Sequence, residues 1–278
     1  MAKVSYLCNR NAKIRIISDM AKKFFFRECG EGPDVVILHG ILGCSDMWIP
    51  VARKLSERFH VVVPDLPNHG LSEHTGSIRF DNVAEIMIDF LKSRHIEHPH
   101  VVAHSYGAKV AFRMLADGFR FEKIVAVDML PATTYADTQI RQLLHFIAQP
   151  LPPLHSFAET KTFFAEQGIE PRFADLLAKG LAMHNGSLQW KFNAKVIANN
   201  SEDLLQRIDL PHVEDNIPLL AIKGKESQYI DNENIEHAKA VFNNFTLAEV
   251  PDSGHWLQYD QPEKFLDIVF KYLTNTNL

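Results

Sequence analysis

Ser105 stands in the stretch "VVAHSYGAK", Val101–Lys109, between a short apolar run and a segment with helical character. Ala103 and Gly107 flank it two positions away on either side. A sharp strand-to-helix turn needs that smallness, because the chain folds back on itself there. Such a turn lifts the serine hydroxyl out of the strand. It also sets the Tyr106 amide at the start of the next helix, where developing negative charge is stabilised. The pattern is that of a nucleophile elbow, with Ala103 in place of the usual first glycine. The plainer alternative is a serine that only caps a helix.

Three further stretches carry the groups such a serine would need. "HGILG", His39–Gly43, follows an apolar run, and its glycines let backbone amides turn inward. Ile41 is the expected second oxyanion donor beside Tyr106. "VPDSGHWLQYDQP", Val250–Pro262, carries His255, one of 14 histidines. Its place after the last strand suits a base that takes the Ser105 proton and returns it to a leaving group. That base needs an orienting carboxylate. Three positions compete for the role: Asp128 in "IVAVDML", and Glu226 and Ser227 in "LLAIKGKESQYI". Ser227 cannot carry the charge. Asp128 is favoured on reach, with Glu226 next; a plain capping role is the bland reading of Asp128.

These loops are positioned by regular alternation. Val35–Leu38, His60–Val63, Val101–Ala103 and Ile124–Val127 read as short strands buried on both faces. Helical stretches, Trp48–Leu55, Val83–Leu91 and a segment reaching Ala116, separate them. This spacing predicts βαβ units and a parallel sheet with right-handed crossovers. Each candidate loop then falls at the carboxyl end of a strand, where open parallel sheets bind ligands. From Pro131 to Pro211 the alternation stops, and an inserted helical cap (residues 131–211) is expected between two parts of the core, 20–130 and 212–278. Trp190, Phe163, Phe164 and Phe173 are expected to form its interior, some of them reaching the acyl pocket. The sheet resumes at Leu219–Ile222 and Thr246–Val250, and a last helix runs from Pro262 to Tyr272. At the start, "MAKVSYLCNRNAKIRIISD" precedes a second Met-Ala-Lys at Met20. Residues 1–19 are either an extension the fold does not need or an added edge strand through Lys13–Ile17.

On these segments the chain resembles the α/β-hydrolase superfamily over Phe24 to Leu273. Within it the chain is similar to the YbfF-type esterases, through "VVILHGILGCSDMW", "VVVPDLPNHGLS", "VVAHSYGAKVA", "IVAVDMLP", "LLAIKGKESQYI" and "VPDSGHWLQYDQPEKF". The resemblance implies an α/β fold with a mostly parallel central sheet flanked by helices and a helical cap. It also implies an acid after the strand that follows the elbow, here Asp128, and a serine near the base in the next such loop, here Ser227. Ser227 is therefore expected to hydrogen-bond near Asp128 or His255 as a supporting residue. "DLPNHGLS", Asp65–Ser72, belongs to the same pattern and reads as a structural turn.

The chain has 278 residues, net charge −5 and 46% hydrophobic residues. That charge argues against nucleic acid as the main partner. No apolar run approaches the roughly 18 residues of a spanning helix. Three cysteines, Cys8, Cys29 and Cys44, form no disulfide framework and fit a reducing, cytoplasmic setting. His39, His69 and His104 build no recognisable metal set, and no metal or cofactor is expected. The expected activity is hydrolysis of small to medium carboxylic esters or thioesters through an acyl-enzyme. A carbon–carbon bond hydrolase of the same fold and a low-turnover ligand-binding protein are the alternatives.

Overall fold

The computed structural model describes residues 3–9, 12–19, 24–134, 138–211, 213 and 216–276. The apolar runs form strands β3 (Phe24–Cys29), β4 (Asp34–Leu38), β5 (His60–Pro64), β6 (His100–His104), β7 (Ile124–Val127), β10 (Leu219–Gly224) and β11 (Phe245–Val250). Two more strands, β1 (Lys3–Asn9) and β2 (Ala12–Asp19), precede them. Together they make one nine-stranded sheet in the order β1-β2-β3-β5-β4-β6-β7-β10-β11. The pairs from β5 to β11 are parallel, and β1, β2 and β3 add on antiparallel.

The amino-terminal segment is thus part of the sheet. β2 pairs with β3 from Arg15↔Glu28 to Asp19↔Phe24, and the outermost strand is β1. The second Met-Ala-Lys, residues 20–22, lies outside the described residues.

Alternate residues of each central strand point to opposite faces, and both faces are apolar. Val36 and Leu38 join one core cluster with α2 (Phe80–Ser93) and α3 (Tyr106–Ala116). Val35 and Ile37 join a second cluster with α1 (Ile49–Leu55) and α10 (Pro262–Leu273), the last helix after α8 (Asn232–Val241) and the short α9 (Leu257–Asp260). Helices therefore cover both faces, and the strands' carboxyl ends share one rim. One turn of 3₁₀ helix, Ser45–Trp48, precedes α1, which explains why the helix begins later than its sequence pattern.

The segment after β7 carries α4 (Thr138–Ala148), α5 (Phe157–Glu166), α6 (Pro171–Lys179) and α7 (Ala194–Asn199). The sequence led to the expectation of a helical cap, but the segment is not purely helical: β8 (Leu181–His184) and β9 (Ser187–Trp190) form an antiparallel hairpin. Asn185 and Gly186 have φ of 48° and 83°, so both turn residues are left-handed. An Asn-Gly pair is the strongest short signal for that turn. α5 starts with a side-chain cap: Ser156 accepts from the Glu159 amide, and the Glu159 carboxylate accepts from the amide of His155, one residue before the cap. Phe164 is fully buried within the segment, stacked with Trp190 at 6.2 Å and edge-on to Phe146.

Lys109, on α3, ties this segment to the core. Its side chain is fully buried. Its ammonium donates to the carbonyls of Pro131 at 2.7 Å, Gln206 at 3.2 Å and Thr133. Pro131 and Thr133 lie where the chain leaves the core, and Gln206 where it returns. A buried lysine persists only when its donors are used, and this one uses them on both stalks. At the far side, Lys191 reaches Asp46 at 3.5 Å, and the Asn193 amide donates to the Asn68 carbonyl at 2.8 Å.

Candidate active site

β6 ends at His104, and α3 begins at Tyr106, so a single residue, Ser105, makes the turn. Its φ of 55° and ψ of −118° lie where side chains with a β-carbon rarely settle. The strain is held by the surroundings. The Ser105 amide donates to the Val127 carbonyl at 3.1 Å. Ala103 pairs with Leu38 on one side and Ala126 on the other, where it is fully buried. At Gly107 a β-carbon would sit 2.5 Å from the Leu38 carbonyl oxygen and 2.6 Å from that of His39. No side chain fits there.

His255 lies in the loop after β11, and its Nε2 is 2.9 Å from Ser105 Oγ. Its Nδ1 is 2.7 Å from Asp128 Oδ2. A carboxylate only accepts, so Nδ1 carries the hydrogen, and in the neutral imidazole Nε2 is then the nitrogen that can accept from the serine. Asp128 follows β7 with φ of 51° and is fully buried. Its two oxygens are met by three donors. Gly224 N donates to Oδ1 at 3.2 Å, while His255 Nδ1 and the Ser227 hydroxyl both donate to Oδ2. The β10 loop can approach this closely because a β-carbon on Gly224 would fall 2.1 Å from the Gly254 carbonyl oxygen.

The sequence candidates thus divide. Ser105, His255, Asp128 and Ser227 come together. Glu226 is exposed at the cavity lining, and among the described residues its carboxylate has no bond to His255.

Tyr106 opens α3 directly after the serine, with its hydroxyl donating to the Ile78 carbonyl at 2.8 Å. In the loop after β4, the Leu42 amide donates to His69 Nε2 at 3.1 Å and the Gly43 amide to the Gly40 carbonyl at 3.1 Å. The Ile41 amide has no acceptor among the described residues, and Ile41 lines the cavity.

Two histidines that spacing alone left unassigned hold that loop. His39 Nε2 accepts from the Leu66 amide at 2.9 Å, and its Nδ1 donates to the Gly40 carbonyl at 2.8 Å. His69 donates from Nδ1 to the Pro67 carbonyl at 2.9 Å while accepting from Leu42. Each ring needs one bare and one protonated nitrogen, which only the neutral form has. Burial pushes His39 down and His69 to about 3. "DLPNHGLS" is therefore a buttress for the loop of Ile41: Asp65 accepts from the Ser45 amide at 2.6 Å and from the Leu71 amide at 2.9 Å.

Above Ser105 lies a cavity of about 600 Å³. Its apolar walls include Trp48 from the core, Ile140 and Leu143 from α4, and Phe173 and Leu176 from α6. Of the four aromatic residues expected from the sequence to fill this segment, Phe173 faces the cavity and packs edge-on against Trp256 at 5.0 Å. Ile140 and Leu143 escaped the sequence reading, although their spacing of three in an amphipathic stretch was visible.

The model of the alpha/beta hydrolase family matches residues 35–268. A marine microorganism esterase is similar in structure, with a TM-score of 0.83 and 28% identity over 90% of this chain and 99% of that one. An sn-1-specific diacylglycerol lipase of Danio rerio is 26% identical over 88% of this chain and 79% of its own length. Esterase YbfF of Escherichia coli (strain K12) is 24% identical over 87% of this chain and 93% of its own. With the family model spanning β4 to α10, the chain belongs to the alpha/beta hydrolase family.

Proposed function

We propose that this chain is a carboxylic ester hydrolase that works through an acyl-enzyme on Ser105, with His255 as base and acid and Asp128 as its orienting carboxylate. The carrying observation is the unbroken line from Ser105 Oγ through His255 Nε2 at 2.9 Å to Asp128 Oδ2 at 2.7 Å from Nδ1. Ser105 attacks the acyl carbon while its proton passes to His255 Nε2. The imidazolium so formed faces a buried carboxylate, which stabilises it without taking its proton. The carbonyl oxygen becomes an oxyanion and is met by the amides of Tyr106 and Ile41. Removing one such donor costs about a hundredfold to a thousandfold in kcat. His255 then gives its proton to the leaving group, and water repeats the cycle on the ester of Ser105.

Ser227 supports the acid. It donates to the same Asp128 oxygen that receives His255, and so holds the carboxylate in place for the base. The cavity of about 600 Å³, walled by Ile140, Leu143, Phe173 and Leu176, suits an acyl group of small to medium length on an ester or thioester. The similarity to an esterase and to a diacylglycerol lipase supports an ester as the substrate.

Steady-state turnover of p-nitrophenyl esters of graded chain length tests this. Short and medium esters are expected to turn over, with Ser105→Ala losing activity. No turnover by the wild type, or retained turnover by Ser105→Ala, overturns it. Turnover of dienoates in place of esters would instead favour carbon–carbon bond cleavage, and tight ligand retention without product a binding protein.

A further inference from the structure

His104 directly precedes the serine, yet the acyl-transfer chemistry does not use it. Its ring is almost wholly buried. Its Nε2 lies 2.9 Å from the backbone carbonyl oxygen of His255, across 151 residues of chain. A carbonyl oxygen only accepts, so Nε2 carries the hydrogen and donates. The His104 ring also packs against the His255 ring, with centroids 4.8 Å apart and planes at 40°. On its other flank stands the oxyanion loop. A β-carbon on Gly40 would fall 2.7 Å from His104 Nδ1, so the residue before Ile41 is glycine because this ring occupies the space.

One side chain therefore touches three parts of the site. It belongs to the elbow, it holds the backbone of the base, and it abuts the loop of the expected oxyanion donor. The base needs such a tie. His255 sits in a loop, and Asp128 fixes only the tip of its ring, at Nδ1. Tyr229 covers the imidazole as well, at 4.1 Å between centroids, but from the β10 loop.

Resting on the assignment of Ser105 and His255 above, we propose that His104 is a positioning residue: its Nε2–H fixes the His255 backbone to the Ser105 elbow, and its ring spaces the base from the oxyanion loop. His104 cannot serve as a second proton carrier. Burial and the neighbouring His255 hold it well below the usual histidine range, and the Trp48 ring lies beside it at 6.2 Å between centroids. The charged or titratable groups that bear on it are His255 and His39, with Asp128 behind His255.

The test compares His104→Leu, which keeps bulk without a donor, with His104→Gln, which keeps an N–H. The readouts are kcat, KM and the pH profile for p-nitrophenyl butyrate. Misplacing a base by an ångström costs up to about a hundredfold, so His104→Leu should lose about tenfold to a hundredfold in kcat with KM changed less than about threefold. Its acid limb should also shift, and His104→Gln should restore kcat to within about threefold of wild type. Wild-type kcat in His104→Leu overturns the proposal. So does a His104→Gln variant that melts like wild type yet is as slow as His104→Leu. If neither variant folds, nitrogen-15 histidine spectra of the wild type decide. An exchange-protected Nε2–H on His104 is expected, and an Nδ1–H tautomer overturns the proposal. Ser105→Ala separates the two claims: if it keeps turnover, the function assignment fails, whereas wild-type behaviour of His104→Leu beside a dead Ser105→Ala sinks this inference alone.

Discussion

Ser227 and Asp128 are 99 residues apart in the chain, and the serine hydroxyl donates to the carboxylate oxygen that also receives His255. Ser227, which cannot itself carry the charge, thus acts on an acid that follows the neighbouring strand β7. Ser227→Ala removes one of three donors to a fully buried carboxylate. An unmet buried group costs about 1–3 kcal/mol, so a lower melting temperature and a kcat reduced by about fivefold to tenfold are expected. Unchanged kcat and an unchanged pH limb would make Ser227 a loop residue only.

The choice of acid is tested by a pair of variants. Asp128→Asn keeps the shape but favours the wrong tautomer of His255, and should cost about a thousandfold to ten-thousandfold in kcat. Glu226→Gln should stay within about threefold of wild type, since an exposed carboxylate with no bond to the base is screened by water. The reverse pattern would move the acid to Glu226.

Buried histidines set an acid limit. His39, His69 and His104 are all pushed below the ordinary value of 6.5, His69 to about 3. The unfolded chain takes up protons near 6.5 that the folded chain refuses. Stability is therefore level above that pH and falls below it, at no more than about 1.4 kcal/mol per pH unit for each such histidine. His60 opposes the trend: Glu28 and Asp34 raise it, so its contribution is present below 6.5 and lost as pH rises. With His100 lowered by burial as well, four rings outweigh one. The melting temperature should drop steeply between about pH 6.5 and pH 5. His69→Gln, which offers one donor and one acceptor without titrating, should flatten the drop. A melting temperature constant across that range contradicts the network.

Gly107→Ala should leave no active protein, because its β-carbon would press on two strand carbonyls. Gly76→Ala is the control, as nothing lies within 4 Å of the added carbon. Circular dichroism and ester turnover read both. An active Gly107→Ala would mean the elbow is looser than described.

Lys109→Met leaves three carbonyls on the two stalks without their cation. A loss of about 2–4 kcal/mol in unfolding free energy is expected, together with faster proteolysis between residues 131 and 211. A variant as stable and as protease-resistant as wild type would show that the ammonium holds nothing.

Much of this was legible in the sequence for one physical reason. Strands buried on both faces read as unbroken apolar runs, and their carboxyl ends carry the chemistry, so Ser105, His255 and the loop of Ile41 could be placed from local pattern. What escaped is long-range or runs against propensity. The bond from Ser227 to Asp128 leaves no trace in spacing. Lys109 reads as a surface residue, because lysine almost never loses its solvent unless its donors are met. The β8–β9 hairpin was missed despite Asn185-Gly186, since its strands are short and half exposed, Met183 and His184 among the exposed residues. The strand β1 was masked by the second Met-Ala-Lys, which drew the expected start of the fold toward Met20.

The most direct measurement is covalent labelling of the serine. A fluorophosphonate should add once per wild-type chain, on the peptide carrying Ser105, with loss of ester turnover in step. Ser105→Ala should take no label, and Asp128→Asn should label far more slowly. Label on another residue, or full inhibition without label at Ser105, would contradict an acyl-enzyme built on this serine.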